Sequence, residues 1–113
     1  MEIIYDTPID ADAAAQVFAA LGAPIRLEIL RALVRAGQPG MTVGALQARL
    51  AMPGSTLSHH LRALVQAGAI AQDREGRSLI CRARFDRIQA LADFLLTECC
   101  VDQGAAATEK ATP

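Results

Sequence analysis

Apolar residues recur every three or four positions over much of this 113-residue chain, which is the spacing of amphipathic helices. A first helix is predicted to start at Asp10 or Asp12, whose side chains can cap it, and to end at Gly22. A second is predicted to start at Pro24 and to stop at Gly37. The positions expected to face the core are Ala14, Val17, Phe18 and Leu21, followed by Ile25, Ile29, Leu30, Leu33 and Val34.

Two further helices flank a break at Met52, Pro53 and Gly54, an arrangement typical of a helix-turn-helix. Thr42 can cap the third helix, and the fourth is predicted from about residue 55 to residue 67, with Gly68 ending it. The apolar positions of the third helix are Val43, Leu46 and Leu50.

Two short strands, over residues 69–74 and 78–83, are predicted to form a hairpin around the turn at residues 75–77. Asp86 is then predicted to cap a fifth helix, with Ile88, Leu91, Leu95 and Cys99 on one stripe. The predicted fold is therefore mainly α with a small β-hairpin, in the order ααααββα, which is a winged helix-turn-helix.

A single domain over residues 1–101 accounts for these elements, and residues 102–113 are expected to be a disordered tail. No apolar run is long enough to span a membrane, and the first residues lack the order of a secretory signal. We therefore expect a cytoplasmic protein. Its odd number of cysteines, three, indicates reduced thiols rather than a disulfide framework.

Charge is distributed unevenly along the chain, although the formal net charge is only −1. Residues 42–90 carry seven arginines against three acidic residues, whereas both flanks are acidic. A basic middle segment is consistent with a surface that faces phosphates, and also with an ordinary solvated face.

The fourth helix separates into an apolar and a polar face. Leu57, Leu61, Leu64 and Val65 form a stripe that should face the core. The opposite face is rich in hydroxyl, imidazole and guanidinium groups, which base edges and phosphates require, whereas a merely solvated face would usually carry more Glu and Lys. We expect base contacts from Ser55, Thr56 and His59, and phosphate contacts from Ser58 and Arg62.

Three other residues extend this predicted interface. His60 lies beside the apolar stripe, which favours a packed structural role over direct DNA contact, and both interpretations stay open. Arg74 and Arg77 flank Gly76 at the hairpin tip, where a basic wing can reach an adjacent minor groove.

These segments resemble the ArsR/SmtB-like bacterial metalloregulators. The resemblance rests on residues 21–30 (LGAPIRLEIL), 55–64 (STLSHHLRAL), 68–70 (GAI) and 74–77 (REGR). It implies a homodimer that binds an inverted-repeat operator in double-stranded DNA and releases it when an effector binds. Residues 78–81 depart from the family pattern because they lack its usual aromatic side chains. The amphipathic first and fifth helices independently favour pairing with a second copy, with recognition helices about 34 Å apart.

Cys99 and Cys100 are adjacent at the predicted end of the fifth helix. Neighbouring thiolates can chelate a soft ion, although consecutive side chains in a regular helix diverge by about 100° and would need a frayed terminus to converge. Glu98, Asp102 and the negative end of the helix dipole disfavour thiolate, which weighs against oxidant sensing.

Cysteine pairs at the end of the last helix resemble those of the arsenic-responsive members of that family. The resemblance implies a repressor with no constitutive cofactor, induced by trivalent arsenic bound to Cys99 and Cys100, with antimonite as a further candidate. The zinc-site patterns of the family are absent. Cys81 is expected to be structural, because it precedes the fifth helix and Cys99 lies about 20 Å along that helix from Asp86, although reach from a partner chain stays open. Two thiols suit methylarsenite, with two exchangeable positions, better than arsenite, with three.

Two other hypotheses remain from sequence. One keeps the fold but senses an oxidant, a persulfide or another soft metal. The other is a winged-helix protein-interaction module without DNA affinity. Enzyme activity is not expected, because no nucleophile–base pair, phosphate loop or open metal site is recognisable.

Overall fold

The computed structural model describes residues 8–106 and contains six helices and three strands within that range. In chain order these are α1 (Ala11–Ala20), α2 (Pro24–Ala36), β1 (Met41–Thr42), α3 (Val43–Leu50), α4 (Gly54–Ala67), β2 (Ile70–Glu75), β3 (Ser78–Ala83), α5 (Phe85–Leu96) and α6 (Val101–Ala106). The winged helix-turn-helix predicted from the hydrophobic pattern is confirmed.

Side-chain caps fix the start of two helices. Asp10 caps α1 by accepting a hydrogen bond from the Ala13 amide at 2.8 Å, and Thr42 caps α3 by accepting one from the Ala45 amide at 3.0 Å. Each cap satisfies an amide that has no partner inside the helix. The choice between Asp10 and Asp12 is thereby settled in favour of Asp10.

The sheet has three antiparallel strands in the order β1-β3-β2. The hairpin register runs from Ile70 opposite Ala83 to Glu75 opposite Ser78, leaving two residues in the turn. The short strand β1, which the sequence pattern did not reveal, pairs Met41 with Cys81 and thus ties the start of α3 to the wing.

The core is aliphatic and lies between the helices and one face of the sheet. Leu57, Leu61 and Leu64 of α4 are buried at its centre, as the stripe on that helix predicts. Val65 belongs to the same predicted stripe but is 36% exposed, and Phe18 of α1 is 42% exposed. The other fully buried large side chains are Ile29, Leu33, Leu46, Ile70, Val17 and Cys81.

The fifth helix differs from the prediction at both ends. Arg84, not Asp86, is the N-cap residue, and Asp86 lies in the first turn with its carboxylate bound by the Arg84 guanidinium at 2.9 Å. That hydrogen bond holds the pKa of Asp86 below its usual value. The helix ends at Leu96, so the predicted stripe does not continue: Leu91 is buried, whereas Leu95 and Cys99 are exposed.

Residues 97–100 form a turn, after which Val101–Ala106 adopt a short helix. The tail expected to be disordered therefore begins with helical residues, and residues 107–113 lie outside the described range. The domain boundary at residue 101 stays a prediction. Within residues 8–106, none of the helices combines the length and apolar character that crossing a bilayer requires.

Two glycines with positive φ provide a test of backbone packing in the wing. Gly40 has φ 70°, and a Cβ there would lie 2.3 Å from the Cys81 carbonyl oxygen, whereas Gly76 has φ 64° and open space around it. We expect Gly40→Ala to lower the free energy of unfolding by at least about 3 kcal/mol, because steric overlap adds to backbone strain. Gly76→Ala should cost only about 1–2 kcal/mol from strain alone.

Urea unfolding of the two variants measures this difference. Equal losses would show that the approach of residue 40 to β3 is not as close as described.

Candidate nucleic-acid interface

The buried leucines of α4 determine which of its side chains face solvent. Ser55, Thr56, Ser58, His59 and Arg62 are all exposed. They are hydroxyl, imidazole and guanidinium groups, so the exposed face offers both donors and acceptors in a shape that fits a major groove.

A groove of about 520 Å³ separates α4 from the wing. Ser58 and Arg62 line it from the helix, and Gln72 and Leu79 line it from the sheet. The two residues expected to contact phosphate therefore lie beside the wing, which brings the predicted helix and wing contributions onto one side of the molecule. The remaining lining residues are Val43, Leu61, Val65 and Gln66.

The strand register sorts the charges of the wing onto two faces. Gln72 and Arg74 alternate with Asp73 and Glu75, and Gln72 lies opposite the buried Cys81. Arg74 therefore lies on the face of the sheet that the core and the groove share, while the two carboxylates lie on the other face. Arg77 is exposed at the turn.

Arg82 pairs with both wing carboxylates and offsets one of their two negative charges. Its guanidinium contacts Asp73 at 2.9 Å and Glu75 at 3.0 Å, and its Nε donates to the Gln38 carbonyl oxygen at 2.9 Å. The hydrogen bond that Arg82 donates to Glu75 is the main cause of the raised pKa of Arg82. Pairing these acids reduces the repulsion that they would exert on a phosphate near Arg74 and Arg77. Sequence reasoning missed this role, although the period-two spacing of residues 73, 75 and 82 on a hairpin could have indicated it.

His60 is held by α2 rather than left free on the DNA-facing side. Its Nδ1 accepts a hydrogen bond from the Arg26 Nε at 3.0 Å, a contact across 34 residues of sequence. Desolvation, together with the positive charge of Arg26 and the neighbouring His59, lowers the pKa of His60. His60 is thus hydrogen-bonded to α2, and the choice between a structural and a DNA-contacting role for it stays a prediction. Arg26 was not among the predicted site residues.

The thiols Cys99 and Cys100 lie in the turn between α5 and α6, away from the core. Both are exposed and reduced, and their sulfurs are 3.4 Å apart. The helix has already ended at Leu96, and Cys100 adopts φ 63°, so the divergence of a regular helix does not apply. With sulfur-to-metal distances of about 2.3 Å, as in zinc thiolates, one soft ion can bridge this separation.

Cys81 is in a different environment. It is fully buried on β3, its sulfur accepts a hydrogen bond from the Gln72 side chain at 3.4 Å, and burial raises the pKa of its thiol. Among the residues that the structure describes, no group of three or more His, Cys, Asp or Glu side chains is arranged to hold a metal ion.

Comparison with known proteins agrees with this geometry. The family described as a helix-turn-helix domain matches residues 21–73. An uncharacterized HTH-type transcriptional regulator, MJ1325 of Methanocaldococcus jannaschii, is 41% identical over 63 residues, which are 56% of this chain and 68% of that protein. An ArsR-like transcriptional regulator from Rhodococcus sp. RHA1 superposes with a TM-score of 0.72 at 29% identity, covering 87% of this chain and 91% of that one. The chain belongs to the ArsR family of winged helix-turn-helix transcriptional regulators.

A second solved structure is the homodimeric winged helix-turn-helix DNA-binding domain of Mb0332 from Mycobacterium bovis. It is 31% identical to this ArsR-family chain, with a TM-score of 0.60, and the match covers 78% of this chain and 82% of that one. Because these relatives are transcriptional regulators, the expectation that the chain is not an enzyme is confirmed, and its function is DNA-binding regulation.

The contact between Arg26 and His60 makes stability depend on pH. Because the folded-state pKa of His60 is below the unfolded value of about 6.5, the unfolded chain binds more protons as the pH falls. The contribution of neutral His60 to the free energy of unfolding is therefore complete above about pH 6.5, and it is lost as the pH falls through the folded-state pKa. In His60→Asn, the amide oxygen takes the place of Nδ1 but does not titrate. The loss of stability between pH 7.5 and 5 should therefore be smaller than in the wild type.

Thermal unfolding at a series of pH values measures the effect. His59→Asn is the matched control on the exposed neighbour and should keep most of the wild-type pH dependence, because His59 is the smallest of the three causes that lower the pKa of His60. An unchanged pH dependence in His60→Asn would contradict the assignment.

Proposed function

We propose that this ArsR-family regulator is a bacterial cytoplasmic repressor that binds an inverted-repeat operator as a homodimer. The observation that carries the DNA-binding part is the exposed polar face of α4 beside the wing. In the proposed complex, Ser55, Thr56 and His59 contact bases, while Ser58 and Arg62 contact phosphates. Arg74 and Arg77 reach the neighbouring minor groove, and His60 lies at the edge of this surface, where it contacts Arg26 of α2.

Dimerisation is supported by apolar side chains that one copy leaves exposed. Phe18 lies on α1, and Phe94, Leu95 and Leu96 lie at the end of α5, each at least 42% exposed. A second copy would bury such faces. The homodimeric state of the Mb0332 domain supports the same arrangement.

The proposed inducer is a trivalent arsenical that joins the Cys99 and Cys100 sulfurs. The contact of 3.4 Å between them carries this proposal, because one ion can bind both without rearranging the core. The turn that holds them lies next to the exposed apolar end of α5, so an ion bound there would alter the surface proposed for dimerisation. Arsenical and DNA affinities must then oppose each other reciprocally.

A preference for methylarsenite over arsenite is supported by the surroundings of Cys99. A cavity of about 380 Å³ beside it is lined by Phe94, Leu95, Thr97 and Glu98. Apolar side chains can accept the methyl group of an organic arsenical, while two thiols replace its two exchangeable ligands. Arsenite would keep a polar third ligand in the same position.

The same short contact suits a second candidate, which is thiol oxidation. Two thiols at this distance can lose two protons and two electrons to an oxidant and close a disulfide between Cys99 and Cys100. Mass spectrometry after treatment with hydrogen peroxide, a persulfide or an arsenical separates these effectors, because each leaves a different mass on the two cysteines.

The DNA interface is tested with two substitutions on α4 and one control. Arg62→Gln should weaken binding to every duplex and reduce the slope of log affinity against log salt by about 0.9, because one phosphate contact is lost. His59→Ala should weaken binding to the operator by about 1–3 kcal/mol and affect random duplex much less. Arg35→Gln, on the exposed surface of α2, should change neither.

Fluorescence anisotropy on the DNA upstream of the chain's own gene, with a random duplex of equal length, provides both readouts. Wild-type affinity and slope in both α4 variants would contradict this docking. Absence of salt-dependent binding to any duplex would instead favour a protein-interaction module.

The inducer is tested by titrating arsenite, methylarsenite, antimonite, zinc and cadmium into the bound complex. We expect methylarsenite to release DNA at the lowest concentration. Cys99→Ser and Cys100→Ser should each abolish release, because one thiol cannot chelate. Cys81→Ser is the matched control and should respond as the wild type does.

Loss of the response in Cys81→Ser with retained folding would contradict the two-thiol site. If the protein lacking both Cys99 and Cys100 still released DNA, the proposed location of the inducer site would be wrong.

A further inference from the structure

We infer that the DNA interface continues from α4 onto α2, where Arg26 and His60 together bind one backbone phosphate. This inference rests on the proposed docking of α4. It adds Arg26, which lies in the first turn of α2, to the residues that contact DNA.

The contact between Arg26 and His60 determines which ring nitrogen of His60 carries the proton. The Arg26 Nε–H donates to His60 Nδ1 at 3.0 Å, so this ring nitrogen carries no proton. In a neutral imidazole the proton must then lie on Nε2, which makes Nε2 a hydrogen-bond donor. The pKa of His60 is lowered, which keeps the ring neutral at physiological pH.

Arg26 and His60 have further N–H donors that their mutual contact does not use. A guanidinium has five N–H groups, and only the one on Nε is used in the contact with His60. Within residues 8–106, no hydrogen bond from the Arg26 Nη atoms or from His60 Nε2 is present, and no carboxylate forms an ion pair with Arg26. The pair therefore offers a group of donors and a positive charge that the described part of the protein does not satisfy.

The donors of Arg26 and His60 lie next to the exposed face of α4. Both side chains are only half-buried, so their polar atoms can reach solvent. The His60 ring centroid is 5.5 Å from that of His59, which is exposed on the face of α4 predicted to contact DNA. His59, His60 and Arg26 thus form a continuous row that leads from the recognition helix to α2.

The ligand that matches these donors is an oxyanion with several acceptor atoms. A phosphodiester group provides two free oxygens with negative charge, and the planar guanidinium fork fits that geometry. Because His59 at one end of the row is already directed at DNA, the backbone phosphate next to the recognised bases is the source of this oxyanion.

The experiment measures salt dependence, which a purely structural link between α2 and α4 would leave unchanged. Binding of a fluorescein-labelled 30-base-pair duplex of mixed sequence is followed by anisotropy between 50 and 300 mM NaCl. For Arg26→Gln we expect about tenfold weaker binding and a salt slope smaller by about 0.9, because one phosphate contact disappears. His60→Asn keeps an acceptor for Arg26 and should keep the slope, with a smaller loss of affinity from the missing Nε2 donor.

Two further variants separate the outcomes. Arg35→Gln removes the same charge from the same helix and should keep the wild-type slope. Arg62→Gln reports on α4: if it lowers the slope and Arg26→Gln does not, the inference about α2 is wrong while the docking of α4 stands. If neither lowers the slope, the docking itself is wrong.

Thermal unfolding confirms that each variant is folded. If Arg26→Gln does not fold, Arg26→Lys decides, because lysine keeps the charge but loses the guanidinium fork. We then expect a wild-type slope with several-fold weaker binding, and unchanged affinity would overturn the inference.

Discussion

Burial of one face of α4 is the constraint on which the rest of the molecule depends. Leu57, Leu61 and Leu64 are each almost completely removed from solvent, and burial of a leucine side chain contributes about 1.5–3 kcal/mol. Rotation of the helix about its axis would expose them, so its orientation is fixed. The polar face is then directed outward, and the surface proposed to bind DNA is a consequence of core packing.

The hydrophobic pattern was sufficient to predict α1 to α4, the hairpin and the exposed polar residues of α4, because each of these depends on local periodicity and capping. It missed α6, which lies largely in the tail expected to be disordered. It was not sufficient for β1, since a strand of two residues has no measurable period and exists only through pairing with β3. It also failed for the end of α5, where Leu95 continues the stripe in sequence although none of residues 8–106 of the same protomer covers it.

Long-range polar contacts were equally hidden. The bond between Arg26 and His60 joins residues 34 positions apart, and neither residue's own segment indicates a partner. Arg82 counted toward a basic segment in the sequence, yet its guanidinium forms ion pairs with Asp73 and Glu75. Counting charges along a chain therefore overstates the positive surface wherever strand pairing brings acids and bases together.

The short strand β1 has a mechanical consequence for regulation. Thr42 both pairs with Ile80 of β3 and caps α3, so a single residue links the helix-turn-helix to the wing. The two parts of a protomer that are proposed to contact DNA are thereby coupled and should move as one rigid unit. An effector bound at a distant turn then has little scope to reshape either part separately. It can instead change the angle or the distance between the two such units of a dimer on the duplex.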